Sequence, residues 1–214
     1  MQRSPADSVD FDAIILAGGR SSRLGGVDKA SLMFDGGTLL ARTLAAVEGA
    51  GAVVVVGPFS AAELPEGVRS AREDPPFSGP AAAIAAGVDE LAGSAAEYTA
   101  VLACDMPYAR TAMQYLLTAT ASLARTGKGA AASGADGVMA QDGMAKLQPL
   151  AALYKTAALT EAVRQRREGG GVTGMSVFRL VASLQVVPVT VAAPATRDVD
   201  TWDDARTFGI DGPA

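Results

Sequence analysis

A short apolar run, Phe11 to Leu16, ends abruptly in Ala17-Gly18-Gly19, the pattern of a buried strand entering a loop. Past that loop, Thr38 to Ala50 carries apolar residues at helical spacing, and Ala52 to Val56 is a β-branched run too short for a helix. The order strand, loop, helix, strand then repeats. A loop at Asp74-Pro75-Pro76-Phe77-Ser78-Gly79 precedes a helix opening at Pro80, where a first-turn proline is tolerated, and a strand runs from Tyr98 to Ala103. A third helix is expected from about Thr111 to Arg125. Strands alternating with helices of this length imply parallel pairing in an open α/β sheet with helices on both faces. Ligands of such sheets bind beyond the carboxyl ends of the strands.

The second half is less regular. Its pattern predicts a strand near Ala130 to Ser133, a polar loop through Gly143, a strand at Pro149 to Leu153 and a helix from Thr156 to Glu168, broken by Gly169-Gly170-Gly171. Val177 to Leu184 reads as another helix, Gln185 to Val191 as a strand, and Thr201 as the cap of a terminal helix. A chain of 214 residues is expected to form one domain, here 11–210, behind a flexible tail at 1–10.

Composition removes several classes of function. The net charge of -5 gives no basic footprint for nucleic acid, so an anionic ligand has to be held by a local site. With His 0 every histidine mechanism falls away, and the single cysteine, Cys104, excludes an internal disulfide and a cysteine-ligated zinc site and fits a reducing compartment. No signal-peptide core and no apolar stretch near 18 residues is present, so the expectation is a soluble cytoplasmic protein with no membrane partner.

The segment from Leu16 to Lys29 gathers four glycines, two serines, two arginines and one lysine directly after the first strand. Glycines let the backbone approach a ligand and turn N–H groups toward it, while Arg23 and Lys29 can neutralise a polyphosphate. The spacing fits neither GxxxxGK[ST] nor GxGxxG. At the end of the Tyr98 to Ala103 strand stands Cys104-Asp105-Met106-Pro107. A carboxylate there suits Mg²⁺, which takes one or two carboxylates and completes its shell with water and phosphates, and it suits equally a turn before proline.

The Leu16 to Lys29 segment closely resembles the LAGGxSxRMGGxDK signature of the molybdenum cofactor guanylyltransferases, with Leu24 in place of the methionine. Cys104-Asp105-Met106-Pro107 is similar to that family's metal-binding CDxP segment. Asp74 with the following Gly79-Pro80 resembles its D...GPLAG region, Gln148 to Tyr154 its acceptor-side strand, and Asp198-Val199-Asp200-Thr201 its N-x-N-TPE segment with both asparagines replaced. The resemblance runs collinearly from about Ile14 to Ala205 and implies a three-layer, Rossmann-like nucleotidyltransferase fold with a mostly parallel sheet.

By that resemblance Leu16, Ala17, Gly18 and Gly19 face the nucleotide, Lys29 its phosphates, Asp74 the nucleotide, and Asp105 holds Mg²⁺, with Asp200 favoured over Asp198 as the second ligand; Arg23, by its charge, is expected to join Lys29 in offsetting the leaving pyrophosphate. Gly57 stands where some members carry a nucleotide-contacting asparagine, so a contact there has to come from its backbone. The implied reaction joins GMP from GTP to the terminal phosphate of molybdopterin, with or without molybdenum, and implies transient contact with proteins that deliver and receive the cofactor. Rival readings on the same fold are a molybdopterin cytidylyltransferase, a phospholactate guanylyltransferase and a sugar-phosphate nucleotidyltransferase; LAGG in place of LAAG leans toward guanine. A regulatory nucleotide-binding module is a further rival, expected to lack Lys29 or Asp105, and both are present.

Overall fold

The computed structural model describes residues 9–19, 24–126 and 134–213. Its main sheet has seven strands: β1 (Phe11–Leu16), β4 (Val53–Val56), β5 (Val68–Ala71), β6 (Tyr98–Ala103), β7 (Gly137–Gln141), β8 (Leu147–Lys155) and β9 (Val186–Thr190). They lie in the order β5-β4-β1-β6-β8-β7-β9, and only β8 runs against the rest. A smaller sheet pairs β2 (Leu32–Phe34) with β3 (Gly37–Thr38) and with β10 (Asp211–Pro213), so ordered pairing continues past residue 210.

β1 shows why helices must cover both faces. All six of its residues are buried, and successive side chains point to opposite sides. Ala13 and Ile15 pack with Ala112, Met113 and Leu116 of α3 (Ala109–Thr126), on the same face as α1 (Leu39–Ala46). Ile14 and Leu16 pack with Ala81 and Ile84 of α2 (Pro80–Glu90), and with residues of α4 (Thr156–Glu168) and α5 (Val177–Leu180). A third cluster, including Leu24, Leu32, Phe34, Leu39, Val199 and Ala205, joins the small sheet to α6 (Trp202–Phe208). This cluster anchors the late acidic segment beside the first strand's loop.

The alternation of strands and helices and the limits of α4 follow the expectation. The strand expected at 130–133 lies outside the described residues, and the stretch expected as a polar loop contains β7. Asp142 then turns the chain back into β8, its Oδ1 accepting the Met144 and Lys146 N–H groups at 2.9 Å each, with Ala145 at φ 63°. The helix expected to reach Leu184 stops at Leu180, where Val181 and Leu184 close turns instead. The tail expected at 1–10 lies outside the described residues up to residue 8, and no helix among those described is long and apolar enough to cross a membrane.

Candidate active site

At the carboxyl ends of β1, β4 and β6 the chain encloses a cavity of about 680 Å³. Leu16, Ala17, Gly18 and Gly19 form one wall, where the ladder continues one step beyond β1 through the Ala17 N–H to Val56 O bond at 2.9 Å. Gly57 N–H donates to Ala71 O at 3.0 Å, and a Cβ on Gly57 would lie 2.9 Å from the Ala17 carbonyl oxygen. Gly57 therefore supports the loop by close packing; Val56, not Gly57, lines the cavity. Gly79, at φ 95°, and Pro80 open α2 toward the same space, while the start of β8 closes it with Gln148, Pro149 and Leu150. The buried Tyr154 donates its hydroxyl to Pro149 O at 3.0 Å and steadies that wall.

Three charged residues distant in sequence meet here. Lys29 begins a single helical turn, Lys29–Ser31, capped by Asp28, whose Oδ1 accepts the Ala30 N–H at 3.1 Å. The Lys29 Nζ donates to Asp105 Oδ2 at 2.8 Å and to Asp200 Oδ1 at 2.6 Å. Asp105 sits just past β6 at 19% side-chain exposure, and Asp200 is more open at 45%. Two bonds along the chain fix Asp200: Val199 N–H donates to Asp105 O at 3.0 Å, and Asp204 Oδ2 accepts the Asp200 N–H at 3.3 Å. That carboxylate is half of a capping box in which Thr201 Oγ1 accepts the Asp204 N–H at 3.1 Å. The helix is thus capped by Thr201, leaving the Asp200 side chain to reach Lys29.

Burial works against the Lys29 ammonium, yet the attraction and hydrogen bonds of Asp105 and Asp200 outweigh it and hold the group above its ordinary value. Burial also lifts the Asp105 carboxyl; Lys29 opposes that rise, and the charges of Asp198 and Asp200 add to it. Burial pushes the neighbouring Cys104 thiol well up, so it is no thiolate nucleophile at neutral pH.

The cavity unites Leu16, Ala17, Gly18, Gly19, Lys29, Asp105, Asp198 and Asp200. Asp74 is exposed and does not line it, whereas the adjacent Glu73 does. Arg23 lies outside the described residues. The sequence reading missed Glu73, Phe77, Ser176, Val177 and Thr196, all of which line the cavity. Only Glu73 and Phe77 carried a signal, since both flank or fall within the Asp74 to Gly79 loop already singled out.

A strand, a glycine-rich loop and a cation held by carboxylates at the carboxyl edge of a mostly parallel sheet are where an open α/β fold binds its ligand. The profile of the MobA-like NTP transferase domain matches residues 13–195. A probable molybdenum cofactor guanylyltransferase of Opitutus terrae is 36% identical over 172 residues, covering 79% of this chain and 77% of the relative. The chain belongs to the MobA-like NTP transferase family. Molybdopterin-guanine dinucleotide biosynthesis protein A of Archaeoglobus fulgidus shares the fold at a TM-score of 0.64 and 17% identity, over 92% of this chain and 96% of that one. Rv0371c of Mycobacterium tuberculosis, solved in complex with manganese, does so at a TM-score of 0.64 and 16% identity, over 93% and 97% of the two chains.

Proposed function

We propose that this chain transfers GMP from GTP to the terminal phosphate of molybdopterin, with or without molybdenum, in the cytoplasm. The observation that carries the reading is the cluster of Lys29, Asp105 and Asp200 within the cavity. The names of its relatives supply the substrates.

The cluster fits a hard divalent cation. Asp105 and Asp200 already hold one cationic group between them, and Mg²⁺ needs only one or two carboxylates beside water and phosphate oxygens. Among the described residues no three metal-ligating side chains converge, which suits such an open site better than a closed cage. Bound there, Mg²⁺ would neutralise phosphate charge and orient the triphosphate. The complex of Rv0371c with manganese supports a divalent ion on this fold.

An oxygen of the acceptor phosphate attacks the α-phosphorus of GTP, a new P–O–P bridge forms, and pyrophosphate leaves. The nucleophile is already an anion, so no general base is required of a chain without histidine. Ala17, Gly18 and Gly19 hold the nucleotide by their backbone, and Lys29 offsets charge gathering on the leaving group. Arg23 is assigned with Lys29 to the charge of the leaving pyrophosphate, and the Asp74 loop to the nucleotide by the family pattern.

A thermal-shift series with GTP, CTP, ATP and UTP in Mg²⁺ tests the base. A ligand bound only by the native state raises its stability with the logarithm of its concentration over Kd. GTP is expected to give the largest shift; a larger one with CTP would move the assignment to cytidylyl transfer.

A further inference from the structure

We propose that the Tyr154 hydroxyl is a positioning group for the transfer: it fixes a bulge in β8 that sets where Gln148, Pro149 and Leu150 meet the acceptor. The proposal rests on the guanylyl-transfer reading above and adds a residue that governs affinity for the acceptor and not for the nucleotide.

β8 departs from regular pairing at the cavity. Between Ala152 and Gln148 it advances four residues, while its partner β7 advances one, from Met139 to Ala140. On its other side β8 pairs with β6 only as far as Ala151. Pro149 and Leu150 therefore stand outside both registers, and a proline, which lacks an N–H, is tolerated within a strand at such a bulge. Gln148, Pro149 and Leu150 all line the cavity.

The Tyr154 hydroxyl donates to Pro149 O at 3.0 Å across five residues of the same strand. In a regular strand those two residues would stand about 16 Å apart, beyond the reach of one side chain, so the bond exists only because the chain is gathered up between them. The ring is fully buried in the core cluster that also holds Ile84, Leu159 and Leu180, which makes its hydroxyl a fixed donor. Burial pushes the phenol up, so it keeps its proton throughout the neutral range. Without the hydroxyl the bulge loses its tie to the core.

The bulge lies where the acceptor has to enter. β1 and β8 are the two neighbours of β6, and β8 runs against β6, so its first residues lie at the carboxyl end. Asp105 follows β6 with the glycine loop on one side and the β8 wall on the other, each roughly 5 Å away at the usual strand spacing. With the nucleotide held by the loop, the acceptor phosphate reaches the α-phosphorus from the β8 side. A neutral amide and two apolar side chains suit the uncharged body of the acceptor and take no part in neutralising phosphate.

Initial rates with GTP, molybdopterin and Mg²⁺, together with calorimetric titration of GTP alone, test the hydroxyl in Tyr154→Phe, which keeps the ring. The KM for molybdopterin should rise about fivefold or more, with kcat within about twofold and GTP affinity unchanged, the pattern of lost binding to one substrate. Pro149→Gly loosens the same bulge with the hydroxyl in place and should raise that KM in the same direction. The double variant should do little more than the larger single one, since both act on one element. A Tyr154→Phe protein that melts lower yet keeps the wild-type KM for molybdopterin has lost a merely structural bond and overturns the proposal. So does a GTP affinity that falls with it, full additivity in the double variant, or a wild-type KM in Pro149→Gly whatever the stability of Tyr154→Phe. Each of these leaves guanylyl transfer standing. A wild type that forms no dinucleotide from GTP and molybdopterin overturns both.

Discussion

The Lys29 ammonium donates to Asp105 at 2.8 Å from a position 76 residues earlier in the chain, and the same nitrogen reaches Asp200 at 2.6 Å. The loop lysine and the strand-end aspartate thus neutralise one another. On the metal site proposed above, lysine and a divalent cation would compete for the same carboxylates. Lys29→Ala should therefore bind Mn²⁺ several-fold more tightly in the absence of nucleotide, by manganese EPR titration, while binding GTP more weakly. It should also melt at a lower temperature without metal and regain stability on adding it, because a buried carboxylate is left unpaired. Unchanged manganese affinity would remove Lys29 from the metal's competitors.

Asp105→Asn keeps the shape of the side chain and loses its charge. Turnover should fall by roughly two orders of magnitude or more, with the fold retained by circular dichroism. Asp200→Ala should be milder and should show chiefly as a raised magnesium requirement, since Asp200 is the more exposed of the pair.

Thr201 caps α6 and, through Asp204, holds the segment that carries Asp200. Thr201→Ala should cost about 1 kcal/mol in denaturant unfolding. It should also raise the magnesium requirement in the same direction as Asp200→Ala. A stability loss with unaltered magnesium dependence would show that the cap does not position Asp200.

Much of this site was legible before the fold. The glycine-rich loop and Asp105 could be found because each directly follows a strand, where chemistry is read from few residues, and Asp200 because its segment resembles one of the family's. The small sheet could not, since β3 has two residues and β2 and β10 three, too short for any period to show. β5 was missed because Val68-Arg69-Ser70-Ala71 is an edge strand without apolar alternation. Glu73 was overlooked beside Asp74 because only the path of the loop decides which of two adjacent acids faces inward.

Cys104 gives a dependence on pH whose sign follows from burial. Its thiol stays protonated in the native state well above the ordinary 9.0, while the unfolded chain releases that proton near this value. The native state then binds more protons than the unfolded one, so stability falls as pH rises above 9, by about 1 kcal/mol over the first unit. Cys104→Ala should flatten that part of the profile in urea melts at several pH values. A disulfide reagent should find no reactive thiol in the native protein and one after denaturation.

Close packing of α2 on β1 leaves no room at Gly87, where a Cβ would fall 2.6 Å from Ile14 Cγ2. Gly87→Ala should destabilise the protein by about 1–3 kcal/mol despite the better helix propensity of alanine. A neutral or stabilising effect would mean that Ile14 moves aside without cost.

The central claim is tested most directly by incubating the chain with molybdopterin, Mg²⁺ and either GTP or CTP, and separating the products by chromatography. The account predicts molybdopterin guanine dinucleotide with pyrophosphate released in equal amount, only with GTP and only with a divalent cation. Product formed from CTP in preference to GTP, or formed at full rate in a metal chelator, would contradict it.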